Sequence, residues 1–268
     1  MRASTADITL NGCRFRYALS GPDDADTVVF VNSLATDMGI WDAQVEPFST
    51  RYRVLRYDAR GHGGSEATAA PYTMDGLVDD LLALLAHVGA RRAHVVGVSL
   101  GGLTALQAGI RAPAGIASVT ACGAGIGAGP EFEKIISDRN VLIREQGTQA
   151  IADMMVKRWF TEPAFAEGHA YLARIRDMVA DTADEGFIGC ASAIRDSGLR
   201  ARIGAVKLPA LFVVGDQDAA LPVEAVRTMQ QEVAGARLGV VPRAGHLCTV
   251  EQPAIFNAMV LSFLARLG

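Results

Sequence analysis

The segment Gly97-Val98-Ser99-Leu100-Gly101 places a serine between an apolar stretch and a helical pattern. A Gly-x-Ser-x-Gly pattern in this context indicates a sharp strand-to-helix turn that exposes the serine hydroxyl as a nucleophile. We expect Gly97 and Gly101 to relieve crowding at this turn, because glycine has no Cβ. The pattern alone also arises by chance, so the surrounding sequence has to support it.

A base and an acid follow later in the chain. A serine hydroxyl is a weak nucleophile at neutral pH, so it needs a base, which in turn needs an orienting carboxylate. Asp218 and His246 each follow an apolar stretch, at residues 211–214 and 238–241. Loops at the carboxyl ends of parallel strands gather at one sheet edge. The order Ser99, Asp218, His246 therefore predicts a catalytic triad.

Two positions compete with this assignment. Asp216 lies two residues before Asp218, and we favour Asp218 as the acid. The chain has five histidines, His62, His87, His94, His169 and His246. His62 lies on a glycine-containing loop, but it precedes the serine, so we expect it to shape its loop.

A tetrahedral intermediate also needs two backbone N–H donors. We expect one from Leu100, which follows the serine and opens a helix whose dipole favours an anion. We expect the other from Leu34, in the loop after residues 28–31. Ser33 and Asn32 in the same loop either contact substrate or shape the turn.

The elements that must position these residues alternate between strands and helices. Two short strands flank Asn11-Gly12, which is a strong hairpin signal. Buried strands are predicted at residues 28–31, 54–55, 95–98, 211–214 and 238–241. One helix is predicted from the apolar spacing of Leu77, Leu81, Leu84 and Val88, with Thr73 as its N-cap and Gly89 as its stop. A second is predicted from Leu103, Leu106 and Ile110. A third, beginning at Pro253, is predicted from Phe256, Met259, Phe263 and Leu267. This alternation predicts an α/β fold with a mostly parallel, doubly wound sheet.

Residues 125–202 interrupt that alternation. They have a helical composition without a convincing buried strand, and a glycine-rich linker at residues 123–130 precedes them. We predict a helical cap at 125–202, inserted into a core domain formed by residues 1–124 and 203–268. The alternative is a set of additional helices within one domain.

Composition narrows the classes of function. The chain has 268 residues, 50% of them hydrophobic, and a net charge of -4 without a basic cluster, which argues against nucleic acid as a partner. Residues 1–7 lack the apolar stretch of a signal peptide, and no apolar run is long enough to span a membrane.

The four scattered cysteines are Cys13, Cys122, Cys190 and Cys248. They indicate reduced thiols in a cytoplasmic protein rather than a zinc site or disulfides.

Taken together, these residues resemble the α/β-hydrolase superfamily, and within it the 3-oxoadipate enol-lactonases. The segments that carry the resemblance are Asn32-Ser33-Leu34 with Asp37 and Trp41, Leu55-Arg56-Tyr57-Asp58-Ala59-Arg60-Gly61-His62-Gly63, Gly97-Val98-Ser99-Leu100-Gly101-Gly102, Ala191-Ser192-Ala193-Ile194-Arg195-Asp196, and Ala244-Gly245-His246-Leu247. The segment around Arg195 discriminates best. Asn32-Ser33 departs from the His-Gly pair frequent in the superfamily, as expected for this subgroup.

The resemblance implies an α/β-hydrolase fold, the triad Ser99, Asp218 and His246, no cofactor or metal, and a small ester or lactone substrate. It also implies a role in degrading aromatic compounds through the β-ketoadipate route. The substrate of that family carries a second carboxylate, which needs a cationic or hydrogen-bonding partner. Candidates in the predicted cap are Arg139, Arg144, Arg158, Arg174 and Arg195. Arg195 enters our prediction as a substrate contact together with Ser33 and Trp159, although Trp159 could instead pack the cap against the core.

Other functions remain open at this point. A general carboxylesterase and a C–C bond hydrolase of ring-cleavage products would use the same triad. A ligand receptor built on a hydrolase fold could retain it as well. A haloalkane dehalogenase is disfavoured, because its nucleophile is an aspartate and position 99 is serine.

Overall fold

The structure is a computed structural model that describes residues 5–127 and 129–267. Residues 1–4, part of the segment in which we looked for a signal peptide, and residue 128, in the glycine-rich linker, lie outside the described residues. The strands of the described chain are β1 (Thr5–Leu10), β2 (Cys13–Ser20), β3 (Thr27–Val31), β4 (Arg53–Tyr57), β5 (Ala93–Val98), β6 (Ile116–Cys122), β7 (Ala210–Gly215) and β8 (Arg237–Val241).

Helices connect these strands. The α-helices are α1 (Asp42–Ser49), α2 (Met74–His87), α3 (Leu100–Arg111), α4 (Pro130–Gln146), α5 (Ala152–Trp159), α6 (Glu162–Ala166), α7 (Ala170–Asp181), α8 (Asp184–Arg195), α9 (Val223–Gln231), α10 (Cys248–Glu251) and α11 (Pro253–Leu264). Short 3₁₀ turns lie at Met38–Trp41, Thr148–Ile151, Leu199–Ala201 and Ile203–Ala205.

The strands form one sheet in the order β1-β2-β4-β3-β5-β6-β7-β8. β2 is antiparallel to both of its neighbours, whereas the ladders from β4 to β8 are parallel. The predicted mostly parallel α/β sheet is therefore confirmed, as is the hairpin at Asn11-Gly12, where Leu10 pairs with Cys13. The chain winds outward in one direction from β3 to β4 and then returns to pair β5 on the other side of β3. Ligands of open α/β sheets bind at such a reversal.

Strand β6, which lies between β5 and β7 in the sheet, was not predicted from the sequence. Its apolar residues alternate with Ser118 and Thr120, so no continuous apolar run marks it. Both polar side chains are nevertheless buried. The Ser118 hydroxyl lies 2.8 Å from Nδ1 of His94 on β5, so this buried hydroxyl has a hydrogen-bond partner inside the sheet.

The predicted helix ends agree with the structure at α2 and less well at α11. The Gly76 amide donates to the Thr73 hydroxyl at 3.0 Å, so Thr73 caps α2 as predicted. Gly89 has a φ of +70° just beyond the end of that helix. Leu267 lies outside α11, which ends at Leu264.

Helices α4 to α8 all lie between β6 and β7. No strand interrupts this insertion among its described residues. Within it α4 packs on α8 and α5 packs on α7, and α8 also contacts α3 of the sheet-packed helices. The division of the chain at residues 125 and 202 into cap and core remains a prediction.

At the turn around Ser99, the backbones of β5, α3 and the end of β3 approach each other closely. Ser99 has a φ of +54°, a conformation that non-glycine residues rarely adopt. A Cβ on Gly97 would lie 2.1 Å from the carbonyl group of Gly101, and a Cβ on Gly101 would lie 2.1 Å from the Val31 oxygen. Contacts that close require the backbone to shift, so β5, α3 and the end of β3 approach each other only with glycine at both positions.

We therefore expect Gly101→Ala to lower the free energy of unfolding by about 3 kcal/mol or more, because the added methyl group meets rigid backbone. Urea unfolding of the purified protein measures this. Gly125→Ala is the matched control, since a Cβ there would lie 3.6 Å from its nearest neighbour, Leu221. That variant should lose less than about 1 kcal/mol. Equal losses in the two variants would contradict the close approach at Gly101.

Candidate active site

The three residues predicted to form a triad lie at the carboxyl edge of the sheet, on the segments that follow β5, β7 and β8. Nδ1 of His246 lies 2.9 Å from Oδ2 of Asp218, and both residues are buried. Ser99 and His246 line the same cavity. The structure thus brings together residues that are widely separated in sequence.

The Asp218 carboxylate is held from two sides. Its second oxygen, Oδ1, accepts the backbone N–H groups of Ala220 at 2.8 Å and Leu221 at 3.0 Å. With Oδ2 accepting the proton on Nδ1, the lone pair of His246 lies on Nε2, where a base needs it. Asp216 accepts the Ala244 amide instead, at 3.2 Å, so the geometry separates the two competing carboxylates.

Ser99 is partly exposed. Its hydroxyl forms no hydrogen bond with His246 within the described part of the chain. Hydrogen bonds of this kind are often long in a free enzyme and tighten when substrate binds. The positive φ of Ser99 turns its side chain away from the strand path, and the start of α3 follows at once.

Two backbone N–H groups near Ser99 have no protein acceptor in the described residues. Leu100 is the first residue of α3, and the amide at that position has no partner within a helix. Leu34 lines the cavity, and its amide is likewise without an acceptor. Two free N–H donors beside a nucleophile can stabilise an oxyanion.

His62 supports the loop that carries Leu34. The Ala35 amide donates to Nε2 of His62 at 2.9 Å, and Nδ1 of His62 lies 3.0 Å from the Arg60 carbonyl oxygen. Since Nε2 accepts, Nδ1 carries the proton and the ring is neutral. Burial lowers the pKa of His62 to about 4, which maintains that state. The ring thereby holds Ala35 at its φ of +59°.

Asn32 and Asp58 provide further bonds between the loops that follow β3 and β4. The Asn32 side chain accepts the Ala59 amide at 3.0 Å and donates to the Ser33 carbonyl oxygen at 3.0 Å. Asp58 accepts the amides of Met38 and Gly64, both at 2.7 Å. Burial raises the pKa of Asp58 to about 6. Of the alternatives for Asn32, the structure therefore favours shaping the turn.

The cavity above Ser99 has a volume of about 180 Å³. Its lining residues are Leu34, Ser99, Leu103, Gly123, Gly125, Phe132, Ile135, Ile136, Arg139, Met155, Arg158, Trp159, Phe187, Ala191, Ile194, Ala220, Leu221 and His246. Most of this wall comes from α4, α5 and α8 of the insertion. It is apolar apart from four side chains, those of Ser99, Arg139, Arg158 and His246.

Trp159 performs both of the roles that the sequence left open. Its ring lines the cavity and lies nearly parallel to the His246 imidazole, with 6.4 Å between the ring centroids. Its carbonyl oxygen accepts the Leu247 amide at 3.3 Å, which joins the end of α5 to the histidine loop.

Glu251, which was not predicted from the sequence, reinforces the same junction. Oε2 of Glu251 accepts the Gly245 amide at 2.8 Å, and Oε1 accepts the Thr161 amide at 3.2 Å. One carboxylate thus connects the residue before His246 with the segment after α5. Glu251 ends the short helix α10, and no sequence pattern distinguishes it from a surface carboxylate.

Two predicted substrate contacts are absent from the cavity wall. Ser33 is fully buried, and its hydroxyl has no hydrogen-bond partner within the described residues. Arg195 is exposed, and its guanidinium group pairs with Asp196 at 2.7 Å. Its neighbour Ile194 faces the cavity instead. The helix turn at the end of α8 therefore directs the arginine outward, which the sequence segment did not reveal.

A larger cleft of about 830 Å³ lies elsewhere, lined by residues that include Asp37, Asp58 and Arg174. It contains none of the predicted triad.

No helix in the described ranges is both long and apolar enough to cross a membrane. The same ranges hold no group of three histidine, cysteine, aspartate or glutamate residues arranged to bind a metal.

The sequence pattern of the alpha/beta hydrolase family matches residues 28–259, which is most of the chain. The chain belongs to the alpha/beta hydrolase family. The predicted resemblance to this superfamily is thereby confirmed.

Individual relatives narrow the resemblance. The chain is 31% identical to 3-oxoadipate enol-lactonase 2 of Acinetobacter baylyi over 97% of this chain and 94% of the relative. The crystal structure of the enol-lactonase from Burkholderia xenovorans LB400 has 35% identity and a TM-score of 0.92, with 97% of this chain and 100% of that chain covered. The chain is also 29% identical to "Putative carbamate hydrolase RutD" of Variovorax paradoxus, over 94% of this chain and 96% of the relative.

The neutral state of His62 predicts a specific dependence of stability on pH. Its pKa of about 4 in the fold lies below the ordinary value of 6.5. The unfolded chain therefore takes up this proton first as the pH falls. Stability from the neutral ring is complete above pH 6.5 and is lost toward pH 4.

As the pH falls from about 7 to about 4, we expect the free energy of unfolding of the wild-type protein to fall by roughly 3 kcal/mol more than that of His62→Gln. Urea unfolding at a series of pH values measures the difference. All other titrating groups are common to both proteins and cancel. A difference that is constant with pH would contradict a buried, neutral imidazole at position 62.

Proposed function

We propose that the protein is a cofactor-free serine hydrolase that opens a small enol-lactone of the 3-oxoadipate type through an acyl-enzyme. The observation that carries the reaction type is the His246–Asp218 hydrogen bond beside Ser99, at a cavity flanked by two unpaired N–H groups. The substrate class is supported by the enol-lactonase relatives. A place in the degradation of aromatic compounds through the β-ketoadipate route is part of the same proposal.

The first half of the proposed reaction forms the acyl-enzyme. Nε2 of His246 takes the proton of the Ser99 hydroxyl, and the serine oxygen attacks the lactone carbonyl carbon. The resulting oxyanion accepts the amides of Leu34 and Leu100. Collapse of this intermediate breaks the ring C–O bond. The enolate released by this step takes the proton that His246 accepted from Ser99, which returns the imidazole to its neutral form. The resulting enol becomes a ketone by tautomerisation.

The second half releases the product. His246 takes a proton from water, the hydroxide attacks the acyl carbon, and Ser99 leaves as its alcohol after regaining a proton from the imidazolium. Conjugation stabilises the enolate in the first half, so acid assistance to the leaving group is needed less than for an amide. The Asp218 carboxylate keeps the imidazole oriented and stabilises its cationic form throughout.

The size of the cavity fits this substrate class. Pockets for drug-sized ligands usually exceed roughly 300 Å³. A cavity of about 180 Å³ favours a smaller molecule.

A second candidate is the hydrolysis of a carbamate, which the RutD relative favours. The same nucleophile and base would attack a carbamate carbonyl, but the leaving group would be an amine that needs a proton from His246. Turnover of carbamates beside lactones separates the two proposals.

We expect the wild-type protein to hydrolyse an enol-lactone with a kcat/KM orders of magnitude above that for simple aryl esters. Ser99→Ala should reduce kcat by roughly 10⁵-fold or more, because no other group replaces the nucleophile. Spectrophotometric assays on the enol-lactone, a carbamate and 4-nitrophenyl acetate measure both effects. Comparable rates on all esters would replace the lactonase proposal with a generalist esterase.

Asp218→Asn tests the acid with a matched control two residues away. Loss of the carboxylate should reduce kcat by roughly 10³- to 10⁴-fold, because the imidazole loses its orientation and its countercharge. Asp216→Asn removes the same charge where it accepts only the Ala244 amide, and should leave kcat close to the wild-type value. Steady-state kinetics on one ester substrate compares the variants. An equal loss in both would remove Asp218 from the proposed triad.

A further inference from the structure

The loop that carries His246 lies directly against the C-terminal end of α5. A Cβ on Gly245 would lie 2.5 Å from the Trp159 carbonyl oxygen, so the two backbones approach this closely only with glycine at position 245. On the other side of the histidine, the Leu247 amide donates to the same carbonyl oxygen at 3.3 Å. The residues before and after the proposed base therefore both contact the end of α5, so the position of the imidazole depends on that of the insertion.

The Glu251 carboxylate stabilises this contact, and it uses both of its oxygens to do so. Oε2 accepts the Gly245 amide at 2.8 Å. Oε1 accepts the Thr161 amide at 3.2 Å and also accepts a hydrogen bond from the Thr161 hydroxyl. Thr161 is buried and Glu251 is half-buried, so their surroundings strengthen these charge-assisted bonds. The carboxylate thus holds the residue before His246 next to the second residue after α5.

Asp216 provides an internal comparison, because it binds the neighbouring amide of the same loop. One of its oxygens accepts the Ala244 amide at 3.2 Å. Asp216→Asn retains that acceptor, since the side-chain amide of asparagine has a carbonyl oxygen. Glu251→Gln retains only one of two acceptors, and its NH₂ group faces the amide of either Gly245 or Thr161. The same loss of charge therefore breaks a connection at position 251 and not at position 216.

We propose that Glu251 is a positioning residue for the reaction, which holds the His246 loop against the insertion so that Nε2 can take the proton of Ser99. This inference rests on the proposed serine hydrolase mechanism and deepens it. Glu251 lies outside the cavity that contains Ser99, so it acts through the backbone of the histidine loop. A displacement of about 1 Å between reacting groups can lower a rate by roughly 100-fold. Gly245 and Thr161 also lie outside the cavity wall, so side chains of the wall can vary without breaking this connection.

The first test compares the two carboxylates. Glu251→Gln should lower kcat for 4-nitrophenyl acetate by roughly 10- to 100-fold, because the base loses its position. Most of the loss should appear in kcat rather than in KM, since the cavity wall keeps its side chains. Asp216→Asn is the matched control and should keep kcat close to the wild-type value. Rates are divided by the folded fraction from circular dichroism, so that lower stability alone has no effect. Equal kcat values in the two variants would overturn the proposal.

The pH dependence of kcat/KM distinguishes a displaced base from a purely structural effect. His246 keeps its bond to Asp218 in Glu251→Gln, so the acidic limb of the profile should keep its wild-type midpoint. The plateau should be lower by the factor seen in kcat. A purely structural role for Glu251 would lower Tm and leave the plateau of the folded protein at the wild-type value, which would contradict the positioning role.

Thr161 tests the other end of the connection. Thr161→Val removes the hydroxyl bond and retains the amide bond, so it should lower kcat less than Glu251→Gln does. Thr161→Ser keeps both donors and should retain kcat close to the wild-type value. The double variant Glu251→Gln/Thr161→Val should have a kcat close to that of Glu251→Gln alone, because both substitutions break one connection. Losses that multiply in the double variant would show that Thr161 and Glu251 act separately, against the proposal.

The two proposals fail in different ways. A loss of ester hydrolysis in Glu251→Gln but not in Asp216→Asn, in a protein that does not open enol-lactones, would sustain the positioning role and remove the lactonase function. Opening of an enol-lactone at equal rates in the wild type and both variants would sustain the function and remove the positioning role. Hydrolysis that persists in Ser99→Ala would remove both, since Ser99 would then not be the group on which the base acts.

Discussion

The arrangement at this sheet edge depends on the close approach of three backbones at Ser99. Gly97 and Gly101 leave room for β5, α3 and the end of β3 to meet, because a Cβ at either position would collide with backbone atoms. Ser99 itself adopts a backbone conformation that costs on the order of 1–3 kcal/mol, and the surrounding packed residues over-determine it. The same approach brings the first amide of α3 next to the loop that carries Leu34. The Ser99 hydroxyl and two free N–H donors are thus positioned by main-chain geometry, with little dependence on the side chains of Leu34 and Leu100.

Buried polar groups fix what the main chain leaves free. His62 and Asn32 connect the loop after β3 to the loop after β4, and each does so through a bond to a backbone group. Asp218 has the same function for His246, with one oxygen bonded to the ring and the other to two amides. Glu251 bonds to backbone amides on both sides of the junction between the insertion and the histidine loop. In each case a low-dielectric setting strengthens the bond and makes its loss costly.

Local patterns in the sequence were sufficient for the hairpin, five of the parallel strands, the capped helix α2 and the turn at Ser99. They failed at β6, because Ser118 and Thr120 interrupt its apolar residues and yet are buried in the folded sheet, where the Ser118 hydroxyl lies beside His94. They also pointed to Arg195, whose direction depends on the end of α8 and on Asp196. The position of Glu251 is likewise a property of tertiary packing. The loops that carry Ser99, Asp218 and His246 were predictable from the order of the strands, whereas the residues of the cavity wall were not.

The cavity wall and the proposed triad come from different stretches of the chain. Phe132, Met155, Phe187 and their neighbours shape the space from one insertion, while Ser99, Asp218 and His246 are anchored to strand ends. Mutations that reshape the cavity therefore need not disturb the proposed triad, so selection can alter one without rebuilding the other. Such modularity offers an evolutionary reason why relatives that share this architecture carry names as different as enol-lactonase and carbamate hydrolase.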